Sequence, residues 1–293
     1  MLSGTHKQIK KGIKMNVALH TAPKEFFKTN PPYSQRELEN FIQKASSMGF
    51  KAVQIGPLDS FVTLDGERLK NVLDNFSMLR SVHVGGLYDA EKFALAEEER
   101  TKMQEQIRYG IKLSKEISST LVSIHPPFFA VGKSIDQEIR LEARRCFLQL
   151  IRKEADFANR NGIKMALESF CYYPFIFEDL HDFVQFVSTF PSHKLGVLLD
   201  LGHLYQARIS LPEAVGLFKD KLLDMHVHDA TLEQDFRKAT HLPIGKGEMD
   251  FQEIINILRE AGYDGWLTLE IRGSEKEIAE SKGYLEKLIL KER

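Results

Sequence analysis

The stretch LGVLLDLGH, Leu195 to His203, runs through five residues without a polar side chain and then stops on Asp200. An apolar run of that length, closed by a carboxylate, reads as a strand buried on both faces, as a parallel sheet requires. Its neighbours in sequence repeat the design. Upstream, IKMALES from Ile163 ends on Glu168. Downstream, LLDMHVHD from Leu222 reaches His226, Val227, His228 and Asp229, and WLTLEIRG from Trp266 reaches Glu270.

The first half of the chain supplies four more runs: NVALHT from Asn16, AVQIG from Ala52, MLRSVHVGG from Met78 and TLVSIHPP from Thr120. Segments of helical period separate them. In SQRELENFIQKASSMG, Leu38, Phe41, Ile42 and Ala45 share one face, Ser34 is a natural N-cap and Gly49 a stop. The longest helical pattern begins near Ile135 and ends at Asn161, before Gly162. Eight strands, each followed by a helix, predict an α/β fold of one domain, a (β/α)8 TIM barrel. An open doubly wound sheet would share the early turns. Its Gly-rich phosphate turn is missing after the first strand. No Pro-, Gly- or Ser-rich linker divides the chain. The expected organisation is a disordered basic tail over residues 1–14, with four lysines and no apolar signal-like run, then a barrel over 15–293.

In such barrels the reactive groups stand where strands end and βα loops begin. Here Glu168, Asp200, His226 and Glu270 fall at those places on strands five to eight, and each interrupts an apolar run. Singly, each reads as a helix cap, a salt-bridge partner or a hydrogen-bonded core histidine. Together, three carboxylates and an imidazole converging on one patch require a positive charge. Oxygen-rich ligands with one nitrogen suit one divalent ion, Mn²⁺, Mg²⁺, Co²⁺ or Zn²⁺. His83, His125 and His241 fall at the ends of strand three and strand four and in the loop after strand seven. They would bind a second metal or the substrate. His20 reads as a satisfied polar residue at a strand end.

The bulk numbers bound the partners. A formal charge of −1 gives no basic field to collect nucleic acid. No stretch approaches the roughly 20 apolar residues that cross a bilayer. Cys146 and Cys171 lack metal-type spacing and point to a reducing, cytoplasmic compartment.

The motifs LES (Leu167–Ser169), DLGH (Asp200–His203), HVHD (His226–Asp229), HLPIGKGEMDF (His241–Phe251) and LEIRG (Leu269–Gly273) together resemble the xylose-isomerase-like barrel superfamily. That superfamily includes sugar isomerases and epimerases, inosose dehydratase-like proteins and the apurinic-site endonuclease family. The resemblance runs from about Asn16 to about Leu290. It implies Glu168, Asp200, His226 and Glu270 as metal ligands and His203 as a contact to a substrate hydroxyl. The family pattern His-x-x-Asp favours His226 over His228 and makes Asp229 an orienter of the histidine or loop. Two positions depart from the pattern. The endonuclease branch has an aspartate where Ala239 stands. The ketose 3-epimerase branch has an arginine where Leu232 stands, with Arg237 the nearest alternative.

The implied activity is a metal-dependent isomerase or epimerase acting on a small carbohydrate, free or phosphorylated. Glu168 and Glu270 would be its acid–base pair, and His203, His83, His125, His241 and Arg272 its substrate contacts. Aromatics at Phe128–Phe129 and Phe170–Phe177 would wall the pocket. The competing expectations are a multinuclear zinc endonuclease, for which His83 and His125 speak, a lyase on inositol-like substrates, and a silent sugar-binding barrel. Family members are often homodimers or homotetramers.

Overall fold

The computed structural model describes residues 15–21, 30–130, 134–169, 175–233 and 236–291. The expected basic tail, Cys171 and the Phe170–Pro174 part of the aromatic run lie outside the described residues. Eight parallel strands close a barrel in sequence order. They are β1 (Asn16–His20), β2 (Ala52–Ile55), β3 (Leu79–His83), β4 (Leu121–Ile124), β5 (Lys164–Ser169), β6 (Leu195–Asp200), β7 (Leu222–Val227) and β8 (Trp266–Leu269). All eight coincide with the apolar runs of the sequence. At least one helix follows each.

Local signals account for the helix boundaries. Ser34 accepts the Glu37 N–H while the Glu37 side chain returns to Ser34, a reciprocal cap for the helix Gln35–Ser47. Asp136 caps the long helix Gln137–Arg160. The inner sheet buries its outer face against this helical layer. Phe41, Phe93, Phe147, Phe177, Phe183 and Phe218 are among its largest fully buried side chains. Two members of the expected aromatic pocket wall, Phe129 and Phe177, turn into the core instead. Phe177 packs on Phe183 and Phe186 at 5.1 and 4.9 Å, and Phe129 is buried in the same core. Burying such rings removes about 150–250 Å² each from water, which outweighs any preference for the mouth.

Register then sets the site. A shift between β6 and β7 at Val197–Leu198 brings Asp200 opposite His226, and His226 opposite Thr268 on β8. The barrel interior is unusually polar for a space ordinarily filled by branched apolar side chains. His20, Gln54, His83, Ser123, Asp224, His226 and Thr268 are all buried.

Candidate metal centre

Nδ1 of His226 is the geometric centre of the mouth. It lies 2.9 Å from Glu270 Oε2, 3.4 Å from Glu168 Oε1 and 4.0 Å from Asp200 Oδ2. One ligand atom from each of these four residues falls within 4.8 Å of the others. Burying three carboxylates this close is costly without a cation. Bonds of about 2.0–2.2 Å place donor atoms roughly 3–4.4 Å apart around a shared ion, so this donor set fits a divalent metal with modest side-chain adjustment.

Both glutamates turn one oxygen toward His226 and the other toward further imidazoles. Glu168 Oε2 lies 3.1 Å from His125 Nε2 and 3.8 Å from His83 Nδ1. Glu270 Oε1 lies 3.7 Å from His241 Nε2 and 3.9 Å from His20 Nδ1. Asp200 Oδ2 stands 3.6 Å from His203 Nδ1, while Oδ1 accepts the His203 backbone N–H at 2.8 Å and caps the helix Leu201–Gln206. The capping and coordinating readings of Asp200 are therefore compatible. His203, His228 and His241 form a second cluster of potential ligands, and His83, Glu168 and His226 a third.

Charges follow from burial and neighbours. Burial opposes the His226 cation, but Glu168 and Glu270 overcome it and raise its pKa well above the ordinary value. Burial likewise opposes ionisation of the carboxylates. His226 and His125 nonetheless hold Glu168 well below its usual range, and His226 with His20 does the same for Glu270. Asp200 falls to about 2 because His203 and His228 outweigh its burial. Burial pushes His20 and His203 down to about 4 and His83 well below its ordinary value, with His241 also lowered. Neutral imidazoles with lone pairs thus surround ionised carboxylates, as metal or substrate binding needs.

The structure brings together every histidine read from the sequence. Arg272 is exposed, and its backbone N–H donates to the His241 carbonyl at 2.6 Å. His20, expected as a satisfied strand-end polar group, ends β1 and packs between His83 and His226 with ring centroids 5.4 Å from each. The carboxylate of Asp229 accepts the N–H groups of Gly245, Gly247 and Met249 at 2.8, 2.8 and 3.2 Å. It pins the loop that carries His241, as the HVHD pattern implies. Leu232 is exposed, and Arg237 is not among the described side chains. Sequence reading missed Gln54, Asp224 and Thr268, which line the barrel beneath His226 and belong to no motif.

Comparison with known proteins agrees with the fold. A 26% identical protein of Methanocaldococcus jannaschii, itself uncharacterized, aligns over 208 residues, 68% of this chain and 67% of that one. A D-tagatose 3-epimerase-like protein superposes with a TM-score of 0.74 at 21% identity, covering 94% of this chain and 97% of its own. D-psicose 3-epimerase from Clostridium cellulolyticum H10 gives 0.73 at 16% identity over 94% and 99%. The family model described as xylose isomerase-like TIM barrel matches residues 42–288, and the chain belongs to that family.

Proposed function

We propose that this protein is a divalent-metal-dependent epimerase or isomerase of a ketose or a related polyol-derived carbonyl compound. The observation that carries the reading is the pair Glu168 and Glu270, both ionised and both set against Nδ1 of His226. Glu168, Asp200, His226 and Glu270 would hold the ion. When bound, it supplies the positive charge that favours negative charge on a substrate carbonyl oxygen. One glutamate takes the proton from the carbon beside that carbonyl. The other returns a proton on the opposite face, which inverts the centre, while return to the adjacent carbon moves the carbonyl. His203, His83, His125 and His241 present ring nitrogens to substrate hydroxyls, and Arg272 stands at the rim for a terminal hydroxyl or phosphate. The solved structures of a D-tagatose 3-epimerase-like protein and of a D-psicose 3-epimerase, which share the fold, support a carbohydrate substrate.

The test is solvent exchange. Metal-loaded protein in D₂O, incubated with a panel of ketoses and their phosphates, should incorporate deuterium beside the carbonyl of one of them. The Glu270→Gln variant should not. No exchange with any member of the panel, in protein that holds its metal, would overturn the reading.

The imidazole clusters favour a second reading, a multinuclear zinc centre for phosphodiester hydrolysis. His83 and His125 both face Glu168, and His203, His228 and His241 group beside Asp200. Against it, a net charge of −1 offers little to attract a nucleic acid backbone, and the buried Ala239 supplies no ligand.

A further inference from the structure

Beneath the mouth, a chain of buried polar groups runs through the barrel from β8 and β7 to β2. Asp224 Oδ1 accepts its neighbour's backbone N–H, from Met225, at 2.8 Å and the Thr268 hydroxyl at 2.8 Å. Asp224 Oδ2 accepts Nε2 of Gln54 at 2.9 Å. The other end of that amide, Oε1, lies 2.6 Å from Nε2 of His226. All four side chains are fully or almost fully buried, so no water competes for these bonds.

With Asp224 ionised, the order of donors and acceptors leaves one arrangement. A carboxylate that already accepts from Met225 and Thr268 demands a donor from Gln54, so the amide must turn its N–H₂ toward Asp224. Its carbonyl oxygen then faces His226 and demands a proton on Nε2. A neutral imidazole with its proton on Nε2 has its lone pair on Nδ1, the atom that faces Glu168, Asp200 and Glu270. The sequence places these groups far apart: 170 residues separate Gln54 from Asp224, and 172 separate it from His226.

We propose that Asp224 and Gln54 are positioning residues that act in series to commit Nδ1 of His226 to the metal. The inference rests on the metal-centre reading and is independent of the substrate. Asp224 acts only through the orientation it imposes on Gln54. An isosteric amide at 224 can donate as well as accept. It lets Gln54 turn over and present N–H₂ to His226, which moves the imidazole proton to Nδ1 and blocks the ligand atom.

The experiment is a thermodynamic cycle read by Mn²⁺ affinity, measured by chelator competition on the full chain. Gln54→Met and Asp224→Asn should each weaken Mn²⁺ binding by roughly 10- to 100-fold, the range for partners behind metal-bound histidines. The double variant should bind no more weakly than Gln54→Met alone, because the two residues act in series. Additive losses would overturn the proposal. So would affinities within twofold of wild type. Thr268→Val, which removes one donor to Asp224 at little change in shape, serves where a buried polar variant fails to fold, and should weaken binding in the same direction. In Zn²⁺-loaded wild type, ¹⁵N-resolved NMR should find a slowly exchanging proton on Nε2 of His226. A bare Nε2 would sink the relay without any variant. Protein that binds Mn²⁺ through this relay yet exchanges no sugar proton would leave the inference standing and remove the epimerase reading instead.

Discussion

His228 joins Asp200 to the loop after β7: its Nε2 lies 3.0 Å from Asp200 Oδ1, and its Nδ1 receives the backbone N–H of His241 at 2.9 Å. Nδ1 also lies 3.1 Å from the Asp229 carbonyl, and Nε2 gives its proton to the Asp200 carboxylate. One ring thereby orients a candidate ligand and a loop backbone together. His241 itself has φ of 57°, a left-handed conformation that residues with a side chain rarely adopt and that recurs at functional sites. Gly202, in DLGH, makes room for the ring, since a Cβ there would stand 1.9 Å from His228 Cε1.

Two substitutions should therefore share a phenotype. His228→Ala removes one of two donors to Asp200 Oδ1 and takes the acceptor from the His241 N–H, and should cost about 1–3 kcal/mol of stability by urea denaturation. Gly202→Ala must push the same ring aside without deleting it. Both should weaken Mn²⁺ binding by about tenfold or more. Unchanged affinity in Gly202→Ala would mean that the ring's position does not matter to the ion.

Glu270→Gln should abolish turnover while leaving the fold intact. Proton transfer by a positioned carboxylate contributes roughly 10²- to 10⁴-fold to rate, so the loss in kcat should be at least of that order. Glutamine keeps the volume and the hydrogen-bonding reach, so the circular dichroism spectrum and melting curve of metal-free protein should stay close to wild type. Full activity in this variant would remove Glu270 from the acid–base pair.

The metal-free protein should weaken steadily as pH falls from 6.5 toward 4. His20 and His203, buried and held at about 4, are neutral in the folded state throughout that window, while their unfolded counterparts gain protons below the ordinary value of 6.5. The unfolded state binds more protons, so stability falls with pH, on the order of 3 kcal/mol for each group across the full window. The depressed carboxylates add to the loss at lower pH, down to about 2 for Asp200. His226, whose pKa is raised, contributes with the opposite sign. Its stabilisation is complete below 6.5 and is lost as pH rises through its folded value. Denaturation midpoints with a chelator present should peak above pH 6.5 and drop between 6.5 and 4. A flat profile there would contradict the neutral state of the buried imidazoles.

The strands were legible because each parallel strand is apolar throughout and its end carries a group that an apolar run does not tolerate. That rule alone picks out Glu168, Asp200 and Glu270. The histidines were harder, since His226 and His228 both follow strand alternation and differ only in what surrounds them: Gln54 in one case, Asp200 in the other. Gln54 and Asp224 were invisible for the same reason. Each sits within an ordinary strand pattern, and their meaning arises only when barrel closure brings β2 across to β7. His20 ends its strand as a buried polar group, and the strand gives no hint of the two imidazole rings that pack on it.

Metal stoichiometry separates the two functional readings, and the donor geometry gives the direction. The set around His226 has three carboxylates and one imidazole, while in the cluster His203, His228 and His241 the ring of His228 already has Nε2 on Asp200 and Nδ1 against the His241 N–H and the Asp229 carbonyl. Occupying that second cluster would require the Asp200–His228 bond to open. The cost of that opening favours one tightly held ion per chain, with any further ion weaker. Elemental analysis of protein purified without added metal, then stripped and reloaded with Mn²⁺, should give about one equivalent that is lost in Glu168→Gln. Removing it should lower the melting temperature, because an ion that binds only the folded state adds about 2.7 kcal/mol at a hundred times its Kd. Two or three zinc ions that survive chelation would instead mean that the His83, Glu168 and His226 group or the His203, His228 and His241 group is filled as well, and would make cleavage of abasic-site DNA the next assay.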